Sequence, residues 1–439
     1  MRSGEFGPPK KSVRPSETRP GDTPASDGAG GRPPRRRPHG LGLSLLGPAF
    51  VAAVAYVDPG NVATNLSAGA GYGYLLVWVL ALATAMAGLV QYLSAKLGVV
   101  TGESLPQVLR ERMPRGGRIA YWLQAEVVAV ATDIAEVVGG AIALRLLFGV
   151  PLPLGGVITG VVSMAMLSVQ NRGGQRMFER VITFALVVIA VGFVAGLVVA
   201  PPDAGDVAGG LVPRFDGTET VLLAAGMFGA TVMPHVVYLH SALARDRFGA
   251  SDDAGRLGRI LAATRLDVGV AMVVAGGVNI AMLLSAAAAL RGADDTDTIA
   301  GAHAAVDARL GVVVGALFAV GLLVSGLAST SVGCYAGAVI MEGLLLRRIP
   351  LLLRRTITLT PAVLILGTGA EPTWMLVLSQ VVLSFGIPFA VVPLVVLTAR
   401  RSVMGAWANT RLTTLLAAVI AVVVVTLNIA LLWLTLTGA

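Results

Sequence analysis

The first long apolar run of the chain, about residues 41–68, carries Asp58-Pro59-Gly60-Asn61 at its middle. An aspartate near the centre of a bilayer costs roughly 2.5–3.5 kcal/mol on insertion scales, so it is rarely kept there without a purpose. Proline removes a backbone donor and glycine gives up conformational restraint, so a helix through this run should break beside the charge. Carbonyls freed at membrane depth must face protein, water or an ion. Asp58 and Asn61 then offer two oxygen ligands about one turn apart, which reads as half of a cation site.

Apolar stretches of spanning length recur at 42–66, 74–97, 119–147, 154–170, 180–200, 219–243, 264–290, 308–340, 355–370, 373–398 and 412–437. They predict an all-α integral membrane protein of eleven transmembrane helices. Composition agrees: 55% of the 439 residues are hydrophobic and 13% charged, where a soluble protein would carry nearly twice that charge. The mean hydropathy is +0.78.

A pI near 10.1 could suggest nucleic acid, but the basic residues are placed otherwise. With the N-terminus inside, 29 of the 33 lysines and arginines fall on the cytoplasmic side. Only Arg145, Arg214, Arg291 and Arg309 fall outside. That bias is the positive-inside rule, and it predicts a cytoplasmic N-terminus and an extracellular C-terminus in the cell membrane. The expected partner is therefore the lipid bilayer, not nucleic acid. The outer loops hold Asp203, Asp206, Asp216, Asp294, Asp295 and Asp297 instead. The single Cys334 excludes an internal disulfide and a cysteine-rich zinc site. Residues 1–40, rich in Pro, Gly, Arg and Ser, read as a disordered basic cytoplasmic tail and do not resemble a signal peptide.

The sixth apolar run is interrupted like the first, by Met233-Pro234-His235. His235 and His240 are costly in a membrane unless they line a polar path. Interruptions in the first and sixth helices point to a transporter built from two inverted five-helix repeats, here 41–200 and 219–398, with 412–437 as an added eleventh helix.

At these residues the chain resembles the Nramp family of proton-coupled divalent metal transporters. Asp58-Pro59-Gly60-Asn61 and Met233-Pro234-His235 match that family's two signatures, and the resemblance runs from about residue 41 to 437. It implies that Asp58, Asn61 and the Met233 sulfur are metal ligands. It further implies that the Ala55 and Ala230 carbonyls join in different conformational states, and that Gln380 is a ligand in occluded or outward states. Val236 stands where many eukaryotic members have Asn, a departure that hints at a bacterial origin.

Donor chemistry supports the resemblance. Carboxylate, amide and carbonyl oxygens alone would suit Mg²⁺ or Ca²⁺. A thioether is a soft donor, so Met233 biases the site toward Mn²⁺, Fe²⁺, Co²⁺ or Cd²⁺. Core packing is the commoner fate of a methionine, and only its place at the second break argues for more.

Helix three carries Glu126, Asp133 and Glu136 within an arc of about 80° at 100° per residue. Three acids on one face imply a polar interior stripe, serving either proton movement or a structural salt-bridge network. Arg354 and Arg355 are candidate partners, or simply anchors at the inner membrane face. In the resembled family such acids and arginines carry protons between the metal site and the cytoplasm, and His235 would line the same region. His240 is expected to hydrogen-bond a neighbour. Asn279, Asn428 and Ser329 to Ser331 are expected to bond between helices. Glu103, Glu179 and Glu342 are expected to be solvated near inner loops.

The sequence thus reads as a secondary transporter importing Mn²⁺, with Fe²⁺, Co²⁺ and Cd²⁺, coupled to protons by alternating access. It is not expected to be an enzyme, to hold a resident cofactor or to need a protein partner. The rivals are an Nramp-related magnesium transporter, which should lack the methionine, a sodium-coupled organic-solute symporter of the same fold, and a membrane-embedded metalloenzyme. No His-Glu-x-x-His motif supports the last.

Overall fold

The computed structural model describes residues 47–437 apart from 250, 252, 294, 295, 297, 370 and 371. The expected tail at 1–40 and the outer-loop residues Asp294, Asp295 and Asp297 lie outside the described residues. The first apolar run forms two short helices, α1 (Pro48–Ala55) and α2 (Pro59–Tyr72). Each begins with proline, which lacks an N–H that a helix start leaves unused anyway. Asp58 caps α2, its side chain accepting from the Asn61 backbone N–H. The N-terminus of α1 is capped from far along the chain, where Asp267 accepts from the backbone N–H groups of Gly47 and Ala49, each at 3.0 Å.

The chain continues through α3 (Val77–Thr101), the short α4 (Leu105–Arg112) and α5 (Arg115–Phe148). Next come α6 (Leu152–Val199), the short α7 (Ala204–Gly209), α8 (Gly217–Thr231) and α9 (Pro234–Phe248). Then follow α10 (Ala254–Ala289), α11 (Ile299–Leu310), α12 (Val312–Leu345) and α13 (Leu351–Gly367). The last are α14 (Pro372–Ala399), a single turn α15 (Arg401–Met404) and α16 (Arg411–Thr437).

The architecture is all-α among the described residues, and eight helical stretches are each long and apolar enough to cross a membrane. Those eight exclude α1 and α2, which the break leaves short, the first half of α6 at Leu152–Ser168, and α13, which has 17 residues. The fourth and fifth expected runs form the two halves of α6, two helices separated where Gly174 takes a non-helical φ of 72° and ψ of 175°. The eighth begins at Val312 rather than 308 and extends to Leu345, because Gly311 at φ 93° separates it from α11. The sixth is broken at Val232 and Met233, between α8 and α9.

The two broken helices lie in the core. Every residue from Val51 to Val62 is buried. They are held by α5, α10, α12 and α14, with small residues at the closest approaches. A Cβ at Gly139 of α5 would fall 2.2 Å from the Pro59 ring, and one at Gly326 of α12 would fall 2.8 Å from the Glu136 carbonyl oxygen. The break is thus pressed directly against the helix that carries the acids.

Candidate metal centre

Asp58 uses its two carboxylate oxygens differently. Oδ1 accepts from the Asn61 backbone N–H at 2.8 Å and from Asn61 Nδ2 at 2.7 Å, while Oδ2 is buried and bonds to nothing in the protein. Asn61 Nδ2 also donates to the Ala230 carbonyl at 3.1 Å, so the first break is tied to the second. Asn61 Oδ1 is left without a donor. From α14 comes Gln380, whose Oε1 and Nε2 are both buried and unbonded.

Gly60 makes room for that amide. A Cβ there would stand 1.8 Å from Gln380 Nε2 and 3.3 Å from Asp58 Oδ2. A buried polar atom without a partner costs roughly 1–3 kcal/mol, so a group of them calls for an explanation. The side chains of Asp58, Asn61 and Gln380 each hold an unclaimed oxygen beside the first break, and together they can replace water around a cation.

Met233 is fully buried at the start of α9, and Ala55 ends α1 three residues before Asp58. Two other carbonyls at the break are taken by protein: Asn279 Nδ2 donates to Tyr56 O at 2.7 Å, and the Ser325 hydroxyl donates to Val57 O. Asn279 Oδ1 accepts in turn from Asn65 Nδ2 at 2.9 Å. Asn279 therefore bonds between helices as expected.

The acid stripe is paired, except at one point. Arg354 meets Glu126 at 2.6 Å, and Arg355 meets Asp133 at 2.8 Å. Arg355 Nε also donates to Ser163 Oγ at 3.0 Å. Both arginines are buried, Arg355 completely, so they are not anchors at the membrane face. Glu136 is fully buried between Gly333 and Thr330 of α12, and among the described residues no cation pairs with it. It lies within electrostatic range of Asp58, Asp133 and Arg355. His235 is buried with both ring nitrogens unbonded. His240 instead pairs its Nδ1 with Gln91 Oε1 at 2.7 Å, and Gln91 Nε2 donates to the Tyr56 hydroxyl.

Glu179 corrects an expectation. It is not a solvated loop residue but a buried one, 3.2 Å from Arg247 and accepting from Gln175 Nε2 at 2.8 Å. Glu342 pairs with Arg348 at the surface. Sequence reasoning passed over Gln91, Ser163, Asp267 and Ser325, though polar side chains within apolar runs are themselves a signal. It read Gly60 only as a helix breaker.

A sequence profile for proteins described as natural resistance-associated macrophage protein-like matches residues 49–434. The divalent metal cation transporter MntH of Mycobacterium tuberculosis is 63% identical over 394 residues, covering 90% of this chain and 92% of that one. The protein of the same name from Bacillus subtilis is 47% identical over 392 residues, covering 88% and 91%. Among solved structures, a manganese transporter of Eremococcus coleocola, in complex with an aromatic bis-isothiourea substituted compound, superposes with a TM-score of 0.82 at 32% identity. That match covers 89% of this chain and 86% of the other. The nucleobase-cation-symport-1 family transporter Mhp1, at 19% identity and a TM-score of 0.57, shares the fold alone.

Proposed function

The chain belongs to the Nramp family, and from that premise we propose that it imports divalent transition-metal ions coupled to protons by alternating access. Mn²⁺ is the first substrate, with Fe²⁺, Co²⁺ and Cd²⁺ taken by the same donors. The observation that carries this reading is the set of buried, unbonded oxygens of Asp58, Asn61 and Gln380 gathered where the two helix breaks meet. The names of the relatives, divalent metal cation transporter and manganese transporter, support it.

In this reading Asp58 Oδ1 holds the start of α2 in shape while Oδ2 and Asn61 Oδ1 take the ion. The carbonyls of Ala55 and Ala230 and the Gln380 amide complete an oxygen shell in the states that bring them close. The Met233 sulfur adds the soft donor that alkaline-earth ions do not need. Five-helix repeats at 41–200 and 219–398 rock about the breaks, with the N-terminus in the cytoplasm and the C-terminus outside.

The proton route follows from charge pairing. Three acids, Glu126, Asp133 and Glu136, face two arginines, and the two pairs leave Glu136 without a cation of its own. Glu136 is therefore the group that takes a proton from the side of Asp58. Asp133, Arg355, Glu126 and Arg354 continue the polar path along α5 to a cytoplasmic cavity that Arg354 helps to line. His235, with both nitrogens unbonded, borders the start of that path.

The test is uptake of a panel of divalent metals into proteoliposomes holding a pH dye. Mn²⁺ entry with internal acidification, both nearly abolished by Asp58→Ala at equal reconstitution, is the expected result. Wild-type Mn²⁺ uptake in that variant would remove Asp58 from the site. Uptake of an organic solute without metal would favour a symporter instead.

A further inference from the structure

A second cavity lies away from the metal centre, between the start of α5 and the end of α12. It has a volume of about 550 Å³, and its lining includes Arg115, Arg118 and Arg347 together with Ile119, Trp122 and Leu345. Among the described residues no acidic side chain lines it. None of the three guanidinium groups forms an ion pair among the described residues. Arg115 and Arg347 reach water at the mouth of the cavity, whereas Arg118 is half-buried on its apolar floor, where an uncompensated guanidinium is unusual.

Two further details point to a ligand. Arg118 Nε and Trp122 Nε1 are buried N–H donors with no acceptor in the protein. Both residues line the cavity, so an anionic oxygen there would satisfy them. The same face of α5 runs on through exposed apolar residues, with Ile119 at 45%, Leu123 at 55% and Val127 at 53% exposure. In a membrane protein such a face meets lipid tails, while tryptophan with arginine marks the headgroup level.

We propose that this cavity binds the headgroup of an anionic phospholipid. Phosphate oxygens meet the guanidinium forks of Arg115, Arg118 and Arg347, which match phosphate geometry. The Trp122 indole donates to the same group. An acyl chain lies along Ile119 and Leu123. A lipid is favoured over free phosphate because the floor is apolar and opens onto the lipid-facing side of α5. The inference does not depend on the transport reading, because binding is measured without metal.

The experiment titrates the purified full chain in detergent with phosphatidylglycerol, and separately with phosphatidylcholine of the same acyl chains, by native mass spectrometry. Phosphatidylglycerol should bind the more tightly. The variant R115Q/R118Q/R347Q should lose affinity by on the order of a hundredfold, at about fivefold for each arginine near a lipid surface. R400Q/R401Q, which removes two arginines elsewhere, should bind as the wild type does. Trp122→Phe keeps the shape of the cavity and removes one donor, so it folds and should bind roughly two- to tenfold more weakly. Equal binding of the two lipids would overturn the proposal, as would unchanged affinity in the triple variant or in Trp122→Phe. Displacement of phosphatidylglycerol by millimolar inorganic phosphate would also overturn it, by making the cavity a site for soluble anions.

Discussion

Replacing Gly60 by Ala tests the candidate site through its emptiest position. The new Cβ would stand 1.8 Å from Gln380 Nε2 and 2.9 Å from Gln380 Cδ, and 3.3 Å from Asp58 Oδ2. The Gln380 amide must therefore withdraw by more than an ångström. It is the far end of a flexible side chain, so the backbone need not move and the protein should fold. Overpacking of this kind costs about 1–3 kcal/mol, of which alanine returns about 0.5–1 kcal/mol as a better helix residue than glycine. The net loss of stability is about 0–2.5 kcal/mol, and in the proposed site the Gln380 amide is moved away from the ion. If about 1.4 kcal/mol of that loss falls on the bound ion, the KM for Mn²⁺ rises about tenfold.

The decisive assay is a double-mutant cycle on Mn²⁺ uptake, with binding measured by calorimetry beside it. Gln380→Ala clears the space that the new methyl needs. Gly60→Ala should then cost almost nothing further in that background, giving a coupling of about 0.5–3 kcal/mol. Effects that add within about 0.5 kcal/mol would refute the reasoning, as would a wild-type KM in Gly60→Ala alone. Either result would mean that Gln380 does not work beside the first break.

Met233→Ala should let Ca²⁺ compete better against Mn²⁺ uptake, while Mn²⁺ transport falls partly and Cd²⁺ binding falls most, because only the soft ions lose a preferred donor. Identical Ca²⁺ inhibition in wild type and variant would make the sulfur a packing group. Glu136→Gln and Asp133→Asn should each lower proton flux, read by the internal dye, while Mn²⁺ binding persists. Unchanged coupling in both would leave those acids a purely structural role. Arg355→Ala strands Asp133 in the core and should cost about 3–5 kcal/mol in a thermal melt, with most of it regained in Arg355→Ala/Asp133→Ala. A single variant as stable as the wild type would contradict the buried pair.

The sequence made both breaks legible, because proline beside a polar residue inside a long apolar run admits few explanations. It offered Arg354 and Arg355 as candidate partners of the α5 acids while leaving open that they were anchors at the inner face, and the two ion pairs decide between those readings. Other features depend on which helices become neighbours, which local pattern does not encode. Ser325 reaches the Val57 carbonyl across 268 positions, and Asp267 reaches Gly47 across 220. Glu179 looks like a loop acid until α9 brings Arg247 beside it. Gly60 is the clearest case. Its sequence context explains a bend, and only the position of α14 reveals that its missing side chain is the space another residue occupies.

The capping of α1 has a consequence in time rather than in shape. That helix has eight residues, about 12 Å of rod, with an unwound joint at one end and the Asp267 carboxylate at the other. Swinging it away from α10 breaks two hydrogen bonds to a charged group before water can replace them, at about 1.5–3 kcal/mol each. A barrier of about 3–6 kcal/mol slows such an opening by roughly two to four orders of magnitude. In the proposed cycle, the pace of any movement of this rod would thus be set by an acid far along the chain, apart from the proposed donors of the ion.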